Sequence, residues 1–220
     1  MAYREFVSLV HKSTKRDYIA RVVERDKAEV AELALKWDYD YWDGSRQTGY
    51  GGYKYDGRWR KVADAMVAAY GLKPGMRVLD VGSGKGFLLH DLTEACPGID
   101  VAGIDISAYG VAHTVDTVKP AVQVGTASEL PYPDRHFDLV VSINTLHNLF
   151  IFDLWKAFGE IERVSRGAKY ICVEAYRNER EKVNLMYWQL TCRAFHTPEE
   201  WQWIFAQTGY TGDYEFITFE

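Results

Sequence analysis

The sequence is poor in cysteine, in long apolar runs and in basic charge, and each shortage excludes a class of protein. Its three cysteines (Cys96, Cys172, Cys192) lie far apart, with no Cys-x-x-Cys and no Cys/His ligand spacing. They build neither a disulfide framework nor a metal site, and they point to a reducing compartment, so a cytoplasmic location is expected. No stretch approaches the roughly 18 consecutive apolar residues of a membrane span, and Met1 to Asp17 is too polar for a signal peptide. The net charge of −5 lacks the basic excess of a dedicated nucleic-acid binder. Neither nucleic acid nor a membrane is the expected partner, and internal repeats and low-complexity linkers are absent. What is present is globular: 47% apolar and 26% charged residues. The excess is aromatic, 15% of the chain with 15 Tyr and 7 Trp, more than a core needs.

At 220 residues the chain reads as one α/β domain. Asp17 to Trp37 reads as an amphipathic helix, with Ile19, Val22, Val23, Val30, Leu33 and Trp37 on one broad face. Between Trp37 and Arg60 lie five Tyr, three Trp and five Gly, a run that fits neither the helical nor the strand period. A helix over Trp59–Tyr70 follows, stopped by Lys73-Pro74-Gly75. From Arg77 the rhythm is strand, turn, helix. Strands are expected at Arg77–Val81, Val101–Ile106, Ala121–Val124, Phe137–Ile143 and Lys169–Ala175, with helices at Phe87–Ala95, Ala108–Val118 and around Leu154 to Val164. Thr197, Pro198 and Glu200 form a capping box for a last helix that Gly209 closes, and Tyr214–Phe219 is a final strand. The alternation implies a Rossmann-like, doubly wound, mostly parallel sheet of six or seven strands. Residues 1–60 would form a helical and aromatic lid, 61–176 a cofactor-binding core, and 177–220 a substrate-side insertion, last helix and terminal strand.

The run Val78-Leu79-Asp80-Val81-Gly82-Ser83-Gly84-Lys85-Gly86 sits where the first strand turns into a helix. A P-loop would need Ser or Thr after Gly84-Lys85 and a glycine at position 79, and it has Gly86 and Leu79. The dinucleotide fingerprint would need its third glycine at position 87, which is Phe87. Asp80 is an awkward neighbour for a pyrophosphate: a carboxylate at about 4 Å with an effective dielectric near 20 costs an anion about a kcal/mol or more. The same carboxylate suits a ligand with an ammonium and a sulfonium. Asp105 ends the second strand 19 residues past Gly86, the distance at which an acid reaches the two hydroxyls of a free ribose.

Taken in order, DVGSGKG, GIDIS and GTASELPYPDRHFDLVVSINTLHNL resemble the class I S-adenosylmethionine-dependent methyltransferases, in particular the small-molecule group related to ubiquinone and menaquinone methyltransferases. The resemblance spans roughly Val62 to Ala175. It implies S-adenosylmethionine as cofactor and no metal. It also implies that Gly82, Ser83 and Gly84 pass beneath the amino-acid end of the cofactor, with Asp80 holding its ammonium. Asp105 would take the ribose hydroxyls and Ile106 lie against the adenine. Thr126, Ala127 and Ser128 would meet the adenine edge, and Asn144 the methionine part. Three departures stand out. Thr126 replaces the family's usual Asp, which implies tuning rather than loss. Ser165-Arg166-Gly167-Ala168 replaces a Lys-Pro-Gly-Gly turn. One strand follows the last helix where the family typically has an antiparallel pair.

Methyl transfer is an in-line displacement that needs a base only when the acceptor arrives protonated. The acceptor pocket should lie beyond the carboxyl ends of the strands, where His147 is the candidate base or orienting group. Glu174, Tyr176 and Trp188 are expected as pocket walls, and Tyr53, Tyr55 and Arg58 as the lid's contribution, with Arg58 or Arg60 clamping a carboxylate. The sequence thus points to methyl transfer onto an N or O acceptor of a small polar or aromatic metabolite. Other chemistry on the same cofactor, or a non-catalytic cofactor-binding subunit, remain alternatives, and a homodimer is compatible with all three.

Overall fold

The computed structural model describes residues 1–12 and 16–220. Short helices open the chain: α1 (Ser8–Lys12), α2 (Ala20–Val23), α3 (Lys27–Ala34) and α4 (Tyr39–Trp42), followed by the longer α5 (Arg60–Tyr70). The alternating part then runs β1 (Arg77–Val81), α6 (Phe87–Ala95), β2 (Asp100–Asp105), α7 (Ala108–Ala112), β3 (Val122–Val124), β4 (Phe137–Ile143), α8 (Ile151–Val164), β5 (Ser165–Glu174), α9 (Glu179–Trp188), α10 (Pro198–Thr208) and β6 (Asp213–Ile217).

The six strands form one sheet in the order β3-β2-β1-β4-β5-β6, every pairing parallel. Strand side chains alternate between two cores, as the two-residue period requires. Val78, Leu139 and Val141 join the layer of α5 and α6, whereas Leu79, Val140, Ile171 and Val173 join that of α8 and α10. The order reverses between β1 and β4, so their carboxyl ends open the crevice in which ligands of such sheets sit. Among the described residues no helix is long and apolar enough to cross a membrane.

Four expectations need correction. The helix expected over Asp17–Trp37 is two short ones, because Asp26 accepts from the amides of Ala28 and Glu29 and starts α3 afresh. Ile19 and Val23, expected on a buried face, are 59% and 70% exposed. The helix after β2 ends at Ala112 rather than Val118, since the chain then turns to donate Val115 N–H to the Lys85 carbonyl (3.1 Å). Ser165–Ala168 is not a turn: β5 starts directly after α8, with a register shift opposite Phe137 and Leu139. Gly167 is needed there because a Cβ would lie 2.4 Å from the Asp138 carbonyl. The capping box is as expected, Thr197 N–H on Glu200 (2.7 Å) and Glu200 N–H on Thr197 Oγ (3.2 Å).

The last strand pairs in parallel with β5, and its outer edge is taken by the amino-terminal residues. Arg4 N–H donates to Tyr214 O and Tyr214 N–H to Ala2 O, both at 3.0 Å, which covers an otherwise open edge. The anchor is Glu215, fully buried. Its carboxylate accepts from the amides of Phe6, Val7 and Ser8 at 2.7, 2.8 and 2.7 Å, and from the hydroxyls of Ser8 and Tyr170. Glu215→Ala would strand several buried donors at about 1–3 kcal/mol each. We expect a loss of at least about 3 kcal/mol in urea unfolding, with new protease cleavage near residues 5–10. An unchanged midpoint would contradict this anchoring.

Candidate active site

The turn after β1 is shaped by close approach. Gly82 (φ 87°) leaves no room for a side chain, since a Cβ would lie 1.9 Å from Thr145 Oγ1. The turn is stapled to β2 by the amides of Gly82 and Ser83, which donate to Ile104 O at 2.7 and 3.1 Å. The Asp105 carboxylate accepts from Gly84 N–H (2.7 Å) and Ser107 N–H (2.8 Å). Asp80, Gly82, Ser83 and Gly84 line a cavity of about 60 Å³ with Asn144 from the end of β4. Asn144 sits in the left-handed region at φ 56°, a strained conformation of the kind that collects at functional sites.

Among the described residues, three buried oxygens of niche-lining residues have no hydrogen-bond partner: Asp80 Oδ1, Asn144 Oδ1 and Ser83 Oγ, the last packed toward Gly103 of β2. Burial, and then the charge of Asp105, pushes the Asp80 carboxyl up to about 7. Buried acceptors without donors are costly, and a ligand bringing N–H donors and positive charge to the niche satisfies those of Asp80 and Asn144. That acceptor set fits the amino-acid end of S-adenosylmethionine and repels a pyrophosphate.

The aromatic segment covers the niche. The Trp42 indole lies so close over Gly84 that a Cβ there would meet its ring at 2.7 Å, and its Nε1–H donates to Ser107 Oγ (2.8 Å). Tyr50 stacks on Trp42 (5.5 Å, 14°), and Tyr53 on Phe87 (4.9 Å, 26°). Lys85, nearly buried within the glycine turn, pins this cover: its Nζ is 2.7 Å from both carboxylate oxygens of Asp43 and 2.9 Å from the Tyr53 carbonyl.

A larger cavity of about 390 Å³ adjoins the first, and Tyr50, Tyr53, Trp59 and Asn144 line both. His147, Glu174 and Trp188 also face it. Burial pushes the Glu174 carboxyl up to about 8 and the His147 imidazole down to about 3. His147 Nδ1 accepts the Glu174 amide N–H (3.2 Å), so its proton sits on Nε2, 3.4 Å from Glu174 Oε2. Glu174 Oε1 accepts from the Gln189 amide, and Oε2 makes no hydrogen bond.

The expectations divide accordingly. The glycine turn, Asp80, Asp105 and Asn144 converge, and Gly125 N–H on Asp105 O (2.9 Å) brings Thr126, Ala127 and Ser128 beside them. Ile106 is 58% exposed, so the expected adenine end is an open ledge. His147 is corrected: a neutral imidazole whose free lone pair is occupied by an amide is no base near neutral pH. Tyr55 is corrected too, for its hydroxyl donates to Asp91 (2.7 Å) and its ring rests on Phe87 and His90, away from both cavities. Tyr176 lies under Lys182 and lines neither cavity. Arg58 faces the large cavity but is held by Asp56 (2.6–3.0 Å), and Arg60 is held by Asp64. Sequence reasoning missed Trp42, Asp43 and Lys85. A lysine inside the glycine turn was the available signal.

Known methyltransferases are similar to this chain in sequence and fold. Residues 79–173 match the methyltransferase domain family. A demethylmenaquinone methyltransferase of Symbiobacterium thermophilum is 34% identical over 54% of this chain and 50% of its own length. A malonyl-[acyl-carrier protein] O-methyltransferase of Geobacter sulfurreducens is 36% identical over 46% of this chain and 38% of its own. The chain thus spans about half the length or less of these relatives. A geranyl diphosphate methyltransferase solved with S-adenosylmethionine shares the fold, with a TM-score of 0.55 at 18% identity over 68% of this chain and 64% of that one.

Asp80 makes the site's cost measurable. The unfolded side chain ionises near 3.8 and the folded one near 7, so between these values the folded protein holds a proton that the unfolded chain releases. Stability falls as pH rises through that window and is level above it. Asp80→Asn escapes the loss, and its advantage should grow from about pH 4 to 7, reaching about 1–4 kcal/mol. Urea unfolding at several pH values reads this directly, and a pH-independent difference would contradict it.

Proposed function

We propose that the chain is a class I S-adenosylmethionine-dependent methyltransferase that methylates an oxygen or nitrogen of a small polar or aromatic metabolite, a reading supported by the match of residues 79–173 to the methyltransferase domain family. The single observation that carries the reading is the pair of buried, unpartnered oxygens on Asp80 and Asn144, two residues that line the niche between β1 and β4. When bound, the cofactor supplies an electrophilic methyl group on a sulfonium.

The chain's own residues do the rest. Asp80 and Asn144 hold the cationic amino-acid end, and Asp105 holds the ribose diol. At about 60 Å³ the niche admits a few waters and no nucleoside, so Trp42, Tyr50 and Tyr53 act as a lid that lifts and then closes. Closure excludes water and aligns donor with acceptor, an effect worth about 7–11 kcal/mol when the geometry is held. Tyr53 and Trp188 wall the acceptor. A hydroxyl or ammonium acceptor gives its proton to Glu174, whose elevated pKa sets it near the operating pH. Gln189, donating to Oε1, positions that carboxylate, and the His147 ring packs beside it with Nε2 3.4 Å from Oε2. Three free cysteines, two of them buried, suit a reducing cytoplasm.

Labelled methyl from S-adenosylmethionine should appear in a small-molecule product when the protein is incubated with pooled metabolites, and none should appear in nucleic acid. Asp80→Asn should weaken S-adenosylhomocysteine at least about tenfold by calorimetry. Absence of measurable binding to the wild-type protein overturns the reading. Once an acceptor is found, kcat/KM should rise with pH through about 8. Glu174→Gln should abolish that limb and lower kcat about 100-fold or more. A full rate in that variant would remove Glu174 from the chemistry.

A further inference from the structure

The acceptor cavity is cationic in a chain whose net charge is −5. Arg21, Arg46 and Arg16 lie over the Trp188 ring at 4.8, 5.0 and 5.4 Å, and all three face the cavity. Arg21 is buried, yet it binds carbonyls rather than a carboxylate: Nε donates to Trp188 O (3.1 Å) and Nη1 to Arg46 O. Its Nη2 has no hydrogen bond among the described residues. Arg46 donates through Nη1 to Tyr50 O (2.9 Å), leaving Nε and Nη2 likewise. Burial, and then the neighbouring Arg46, holds Arg21 down at about 10, so the two guanidiniums repel without a neutralising partner. Glu174 is the acidic residue among the described residues lining the cavity, and near neutral pH it is largely protonated.

Capping explains part of this, since Arg21 and Lys27 both bind carbonyls at the end of α9. It does not explain why a second guanidinium, from the aromatic segment, is brought to the same indole. A buried guanidinium (Arg21) beside an exposed one (Arg46), both lining the cavity with N–H groups to spare and no carboxylate ion pair among the described residues, forms a fork for an anion. Resting on the methyltransferase reading, we propose that the acceptor bears a carboxylate or phosphate group, bound by Arg21 and Arg46, with its body among Tyr41, Tyr50 and Tyr53. Because Arg21 belongs to α2, Arg46 to the lid and Trp188 to α9, an anion there ties three elements together as the lid closes.

The test uses the full chain saturated with S-adenosylhomocysteine, titrated with 4-hydroxybenzoate, phenyl phosphate and the neutral 4-hydroxybenzamide, followed by tryptophan fluorescence and calorimetry. At least one anion should bind about tenfold or more tighter than the amide, and the better anion tells carboxylate from phosphate. Arg46→Gln should remove that preference while S-adenosylhomocysteine affinity stays within about twofold. Arg21→Gln, checked for folding by circular dichroism, should do the same. Equal binding of amide and anions, an Arg46→Gln protein that keeps the preference, or no anion binding below about 10 mM overturns the proposal. These outcomes leave the methyltransferase reading intact, which instead fails if S-adenosylhomocysteine itself does not bind.

Discussion

The ion pair between buried Lys85 and half-buried Asp43 is the constraint on which the site depends. One partner belongs to the glycine turn and the other to the aromatic segment, so the pair fixes where the cover sits on the core. Its reach is extended by Tyr109, whose hydroxyl donates to Asp43 (2.9 Å), and by the Tyr53 carbonyl on Lys85 Nζ. Such a pair is poor evidence for stability, because desolvating two charges consumes most of what their attraction returns. Its value here is geometric. It specifies one docking position for a run of residues with too many glycines to hold a regular shape of its own.

Beneath that cover the protein keeps two opposite electrostatic problems apart. The smaller niche has an excess of negative charge, with Asp80 and Asp105 close enough to repel and buried oxygens of Asp80 and Asn144 without donors among the described residues. The adjoining cavity has an excess of positive charge, with guanidiniums gathered over Trp188. Moving the carboxylates to the arginines would relieve both. The fold keeps them apart instead, so a cationic ligand and an anionic one would each find a prepared place.

The glycine turn and the acids around the smaller cavity were legible in the sequence because they are local in the chain. A short apolar strand, a glycine turn and an acid at the next strand's end all fall within residues 77–105, and β1, α6 and β4 have the expected boundaries. The capping box was legible for the same reason. The lining of the larger cavity was not. Arg21 reaches Trp188 across 167 positions, and nothing near either residue announces the meeting. Tyr55 and Tyr176 failed as pocket residues because composition marks a segment as aromatic without saying which ring turns inward. The helix expected over Asp17–Trp37 failed because an Asp at position 26 can cap as readily as it can sit on a polar face.

Lys85 shows why a motif must be judged by where its charge ends up. In a phosphate-binding loop the lysine after the second glycine would point at the ligand. Here its Nζ bonds Asp43 and the Tyr53 carbonyl, which leaves Asp80 as the charged residue lining the niche. A turn with its cation directed away and an acid facing the niche favours a positively charged group over a phosphate. The choice between those ligands therefore rests less on the glycine spacing than on the carboxylates of Asp43, which draws the lysine away, and of Asp80, which faces the niche.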